Sequence, residues 1–209
     1  YKFLGGESHE YYISVKAREL LALSKGRVGA TRVVLDVGCG IGLTEKHLSS
    51  GFPFLVGCDI SGEMLKQARG QGVPNATFLQ CTGLSLPFAA HSVDILFSIS
   101  LFHHIPQISH PNLISEMKRV LRDGGLLVVF EHNPYNPLTR LTVKCCEIDR
   151  EAVLVPPRWI RHCMVQAGLR VLQTKFILFF PRLFAFLRGL ESSLGRFPLG
   201  AQYIVSGIK

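Results

Sequence analysis

Seven short runs rich in β-branched and aromatic residues punctuate the chain, at 32–37, 54–59, 76–81, 93–98, 125–131, 169–179 and 202–207. Helical patterns lie between most of them, at 43–50, 63–71, 111–121 and 157–167, and one more, 12–24, precedes the first. Strands joined by a crossover helix lie parallel, so alternation at this spacing restricts the chain to βαβ units. The expected fold is α/β, a doubly wound and mostly parallel sheet with helices on both faces. Local signals agree. Ser61, ahead of Glu63 and Met64, can cap the helix at 63–71, and Gly70 and Gly72 lie where that helix should stop. Asp123-Gly124-Gly125 reads as a turn before the fifth run.

A chain of 209 residues suits one well-buried core, so a single domain over 1–209 is expected. Its 47% hydrophobic and 18% charged residues exclude a disordered chain. No run of about 18 uninterrupted apolar residues suggests a spanning helix. The chain opens on Tyr1 rather than Met, and a secretory leader is not expected from it. Six cysteines without a C-x-x-C pair or His/Cys ligand spacing suggest neither a zinc site nor a disulfide framework, and they suit a reduced, cytoplasmic setting. The charge of +8 is uneven: from residue 132 onward there are 11 Lys/Arg against 4 Asp/Glu. Either a solvated basic surface or an anionic partner for the C-terminal third accounts for that split.

The first strand runs into "DVGCGIG", with Gly38, Gly40 and Gly42 spaced G-x-G-x-G instead of the G-x-G-x-x-G of dinucleotide sites. In an open parallel sheet, the loop after the first strand is the usual ligand site. Asp36, two residues before Gly38, would repel a pyrophosphate and suits a ligand carrying an ammonium and a sulfonium. Asp59 closes the second strand 19 residues after Gly40, where a carboxylate can accept both hydroxyls of a ribose. Two such carboxylates favour an adenosyl group with free hydroxyls and no phosphates.

Together with "GCDISGEML", "FLQCTGLSLPF", "VDILFSISLFHHI" and "LRDGGLLVVFE", the block "VVLDVGCGIG" makes residues 33–131 resemble the class I S-adenosylmethionine-dependent methyltransferases, in their small-molecule branch. The resemblance implies a Rossmann-like sheet of seven strands with an antiparallel C-terminal strand, S-adenosyl-L-methionine as cofactor and S-adenosyl-L-homocysteine as product. It implies that Gly38, Cys39 and Gly40 back the methionyl part, Asp59 holds the ribose, and Ile60 with Met64 flanks the adenine. Thr82, beside Gly83, stands where such enzymes usually carry an Asp for the adenine amino group, and Ser98 falls at the methionyl end. Residues 1–30 are expected as an N-terminal helical cap and 133–168 as a substrate-covering insertion.

Methyl transfer from a sulfonium is an in-line displacement that depends on alignment, with a base needed for a hydroxyl or protonated amine. His103 and His104, after the fourth strand, are candidates for that base or for shaping the pocket. Glu131, at the end of the fifth strand, is a candidate proton acceptor or an anchor for the turn that follows. "NPYNP" at 133–137 is similar to an amino-methylating motif of nucleic-acid enzymes, but that motif belongs after the fourth strand, so it reads as a turn. Trp159 and Arg161 are pocket candidates, with core packing the commoner role of a helical Trp. In "KFILFFPRLFAFLRGL", Pro181 divides a strand from a short helix bearing Phe184, Leu187 and Leu190; core packing leads, and contact with lipid headgroups through 176–190 is the sharper alternative. The expected substrate is a small molecule, apolar or lipid-like, with nucleic acid not favoured; the alternatives are a nucleic-acid methyltransferase and a non-catalytic cofactor-binding protein.

Overall fold

The computed structural model describes residues 9–26, 33–146 and 152–209. Seven strands form one sheet in the order β3-β2-β1-β4-β5-β7-β6. They are β1 (Val33–Val37), β2 (Phe54–Asp59), β3 (Ala76–Gln80), β4 (Val93–Ile99), β5 (Leu121–His132), β6 (Arg170–Ile177) and β7 (Gln202–Ile208). All pairs among β1 to β5 are parallel, while β7 is antiparallel to both β5 and β6. Strand order reverses between β1 and β4, which places the switch point beside the glycine loop.

Among the described residues seven α-helices surround the sheet: α1 (His9–Ser24), α2 (Leu43–Leu48), α3 (Gly62–Gly70), α4 (His110–Val120), α5 (Pro137–Cys145), α6 (Pro157–Gln166) and α7 (Glu191–Leu194). One sheet face packs Leu35, Val37, Leu96, Leu127 and Val129 against Leu113, Met117 and Val120 of α4 and Ile160 and Met164 of α6. The opposite face packs Val34, Ile95, Phe97, Val128 and Phe130 against Val15, Ala17 and Leu20 of α1 and Leu48 of α2. Period-two alternation of two apolar sets, each with a helical lid, is what makes these strands apolar almost throughout. Lys175 of β6 holds α1 in place through a 2.7 Å ion pair with Glu19.

Local signals behave as their chemistry dictates. Ser61 Oγ accepts from Met64 N at 3.3 Å and caps α3, which ends at Gly70; Gly72 follows at φ 65°. Three expectations change. The turn at 123–125 lies inside β5 as a bulge, because the pairing jumps from Val93↔Leu121 to Ile95↔Leu126. The stretch after "NPYNP" contains α5, with Asn136 Oδ1 accepting from Thr139 N at 3.0 Å and Pro137 at the first helical position. Residues Arg182–Leu190 form a 3-10 segment kinked at Phe184, and none of them is buried, so core packing does not explain them. Of the N-terminal cap, 1–8 and 27–30 lie outside the described residues, as do 147–151 of the insertion.

Candidate cofactor and active site

The glycine loop leaves β1 with two N–H groups turned back onto one carbonyl: Gly38 and Cys39 donate to Cys58 O at 2.8 and 3.0 Å. Gly38, Gly40 and Gly42 all have positive φ, at 84°, 54° and 72°. Their surroundings differ. A Cβ on Gly42 would lie 2.9 Å from both Ala68 Cβ and Phe78 Cζ, so this glycine serves the packing of the loop on α3 and β3. A Cβ on Gly40 would meet nothing within 4 Å, which leaves an open cradle over the loop. We expect Gly42→Ala to destabilise the fold by about 3 kcal/mol in urea unfolding, from overpacking and left-handed strain together. Gly40→Ala should cost about 1 kcal/mol of stability and instead weaken cofactor binding more than tenfold by titration calorimetry.

Asp59 ties the loop to β2. Its Oδ2 accepts from Gly40 N and its Oδ1 from Ser61 N, both at 2.9 Å. Each carboxylate oxygen keeps a further lone pair for a hydroxyl donor. Ile60, 69% exposed, and the exposed Met64 present apolar surface beside it, as an adenine slot requires. Thr82 is exposed and bridged to Ser85, whereas Gly83 is held small by Leu113 and Val37, since its Cβ would lie 2.9 and 3.3 Å from their side chains. The Cys39 side chain is buried against Leu65, Ala68 and Phe78, and burial pushes its thiol pKa up. Its thiol therefore belongs to the core, and only its backbone belongs to the loop.

Asp36 is more enclosed than its position in the sequence suggests. It is buried facing Glu45 of α2, and its carboxyl pKa is raised by burial and by Glu45. Burial likewise pushes Glu45 up, so the pair retains a proton. Apart from the proton the two carboxyls share with each other, no other side chain among the described residues donates to Asp36 Oδ1 or to the carboxyl oxygens of Glu45. The simple repulsion argument is thereby revised: the pair is a protonated acidic niche rather than a bare carboxylate. Lys16 of α1 is also buried, with its pKa lowered to about 8 by burial against the opposing pull of Glu131 and Asp36. Neither Lys16 nor Glu45 was legible as a site residue. A lysine within "YYISVKAREL" and a glutamate in a first helical turn carry no distinguishing pattern.

The second half of the site hangs on β5. Glu131 is fully buried; its Oε1 accepts from Phe102 N at 2.7 Å, and its Oε2 lies 2.7 Å from His103 Nδ1 and 3.2 Å from His132 N. Burial would raise its pKa, but the His103 hydrogen bond and charge, His132 and the Phe102 N–H together hold it below the usual value. Glu131 thus stands behind His103 as an ionised orienting group and does not itself face the opening. Sequence could not separate the two histidines: His103 is buried on Glu131 and His104 is exposed, with ring centroids 4.2 Å apart. Ser98 is fully buried on β4, and its Oγ has no hydrogen-bond partner among the described residues. The cofactor and histidine halves meet where Leu101 lies over Gly38.

The "NPYNP" amides are engaged in scaffolding. Asn133 Nδ2 donates to Pro198 O and Gly200 O at 3.0 and 2.7 Å, and Asn136 caps α5. Val153 N donates to His103 O at 3.2 Å and Tyr203 OH to Val155 O at 2.7 Å, so the segment before α6 passes over the histidine loop. Trp159 lines a cleft of about 390 Å³ with Gln107, Pro156, Arg158 and His162, and its Nε1 donates to His110 Nδ1 at 3.1 Å. Arg161 is not part of that cleft and donates to Thr174 Oγ1 at 3.1 Å.

The methyltransferase-domain family matches residues 35–129, the span from β1 into β5 that carries the glycine loop, Asp59 and His103. A methyltransferase from Archaeoglobus fulgidus, described as SAM dependent, has the same fold at a TM-score of 0.76, with 18% identity over 97% of this chain and 95% of that one. Residues 35–129 thus match the methyltransferase-domain family, and the fold is that of the class I S-adenosylmethionine-dependent methyltransferases. The trans-aconitate 2-methyltransferase of Deinococcus radiodurans is 36% identical over 56% of this chain and 43% of its own length. A probable tRNA methyltransferase 9B of Mus musculus is 31% identical over 59% of this chain and 25% of its own. This chain therefore spans less than half the length of those two relatives.

The residues of this site fit the cofactor of that family, S-adenosylmethionine. The buried carboxyl oxygens of Asp36 and Glu45 offer acceptors to an ammonium, the Gly40 cradle admits close approach, and Asp59 retains lone pairs for a ribose. No helix among the described residues is long and apolar enough to cross a membrane.

Proposed function

We propose that this chain is a cytoplasmic methyltransferase acting on a small molecule of apolar or lipid-like character. The observation that carries the substrate class is the apolar rim of the sheet edge onto which the site opens, where Tyr135, Leu138, Leu183 and Phe186 are exposed. When bound, S-adenosylmethionine supplies an electrophilic methyl group on a good leaving group. Asp59 orients the ribose, Ile60 and Met64 flank the adenine with Thr82 and Gly83 at its edge, and Gly38, Cys39 and Gly40 present backbone to the methionyl part beside Ser98. Asp36 and Glu45 receive the ammonium, and the Lys16 ammonium suits the carboxylate. Glu131 holds His103 by Nδ1, so its Nε2 is the atom that takes a proton from the acceptor. His104 shapes the pocket beside it, and residues 152–156 cover the acceptor from water.

A second reading is methylation of RNA. The basic C-terminal third and the mouse relative's name favour it, while the engaged amides of "NPYNP" leave it no base-binding motif. Incubation with labelled S-adenosylmethionine and separated lipid, quinone and RNA extracts decides between them. Label in a lipid or quinone fraction is expected. Label confined to RNA, or cofactor binding without turnover on any fraction, overturns the reading.

A further inference from the structure

Because β7 is antiparallel to both neighbours, β6 runs parallel to β5, and the connection at 178–201 emerges at the same sheet edge as the loops after β1, β4 and β5. That connection turns several large apolar side chains outward: Leu183 is 78% exposed, Phe186 80% and Leu199 65%. Leu138 and Leu141 of α5 are about half exposed as well. Asn136 Nδ2 donates to Leu199 O at 2.6 Å and Thr139 Oγ1 to Ala201 O at 2.9 Å, which joins α5 and the connection into one face. A patch of this kind on a folded chain marks a contact surface.

Charge selects the occupant. Residues 133–146 and 178–201 contain Arg140, Lys144, Arg182, Arg188 and Arg196 against a single acid, Glu191. Glu191 is turned to its own chain, accepting from Phe179 N and Phe180 N at 3.0 Å each. A two-fold contact between copies of this face would set basic residues against basic residues. Apolar tips flanked by exposed cations, with Glu191 turned inward, match a bilayer with anionic headgroups.

We propose that α5 and the 181–199 segment dock this protein on anionic lipid bilayers, with Leu183 and Phe186 entering the headgroup boundary and the exposed Arg140, Lys144 and Arg196 meeting lipid phosphates. Docking turns the edge bearing Gly40 and His103 toward the membrane. On the methyltransferase reading above, on which this clause rests, the acceptor is then drawn from the lipid phase.

Vesicle sedimentation of the full chain tests the proposal, using phosphatidylcholine with and without phosphatidylglycerol. Partitioning onto phosphatidylglycerol vesicles should exceed that onto phosphatidylcholine by about tenfold or more and fall as salt is raised. The double variant Leu183→Glu and Phe186→Glu should lose about tenfold or more of that binding while keeping its thermal melt and its calorimetric affinity for S-adenosylmethionine. Failure of the wild-type chain to bind phosphatidylglycerol, or equal binding by the variant, overturns the proposal. So does a dimer in sedimentation equilibrium that the same variant dissociates without any lipid effect. None of these outcomes touches the cofactor titration, so the methyltransferase reading fails or survives separately.

Discussion

Replacing Asp59 by alanine lowers the affinity for S-adenosylmethionine by about 100-fold. The carboxylate holds Gly40 N and Ser61 N, and on the proposed placement the same oxygens accept the ribose hydroxyls. Hydrogen bonds to a charged group contribute about 1.5–3 kcal/mol each, and the loss of two ribose bonds amounts to about 3 kcal/mol. Asp59→Asn separates the two duties: its amide oxygen can keep one backbone bond, so the loop stays ordered while the affinity still drops, by about tenfold. Titration calorimetry with S-adenosylmethionine and S-adenosylhomocysteine measures both variants. An alanine variant that binds within threefold of wild type removes Asp59 from the cofactor site.

His103→Ala is expected to lower kcat by about 100-fold or more, in the range of lost general acid–base catalysis, with the cofactor dissociation constant unchanged within twofold. Glu131→Gln should cause a smaller loss of kcat and displace the pH–rate profile, because the imidazole keeps its place while losing its charged partner. Glu131→Ala should also destabilise the fold by about 3–5 kcal/mol, since it removes one partner of a buried pair and strands Phe102 N. The pH dependence has a definite sign. The folded-state pKa of Glu131 is depressed, so its contribution to stability is present above the ordinary carboxylate pKa of about 4.3 and is lost as pH falls through the folded value. Urea unfolding between neutral and acid pH should show that loss in wild type and its absence in Glu131→Gln. If His103→Ala turns over within threefold of wild type, the imidazole packs the pocket without moving a proton.

The sheet was legible because each strand is an apolar run bounded by turn residues, and both faces of the sheet are covered. β2 matches its expected span of 54–59, and β7 differs only by the addition of Ile208 at its end. α5 escaped notice because "NPYNP" reads as a turn, although Asn136 followed by Pro137 is also a helix start. The exposed 182–190 segment could not be told from core by periodicity, since helical spacing of Phe184, Leu187 and Leu190 says that a face exists and not what covers it. For the site, residues at strand ends were accessible to reasoning because topology brings such ends together. Lys16 and Glu45 were not, because their role depends on how α1 and α2 settle against Asp36.

The niche formed by Asp36 and Glu45 bears on the economy of repeated turnover. Both carboxyls are held above their ordinary pKa by burial, with Asp36 raised further by Glu45, so near neutrality the empty niche retains hydrogen ions. On the proposed placement, arrival of an amino group expels one of them, and the first loading of the donor acidifies its surroundings. The demethylated product carries the same amino-acid tail, so swapping it for fresh donor moves no net hydrogen ion. Acidity would then govern how readily an idle molecule is charged, while a working one exchanges its nucleoside almost blind to pH.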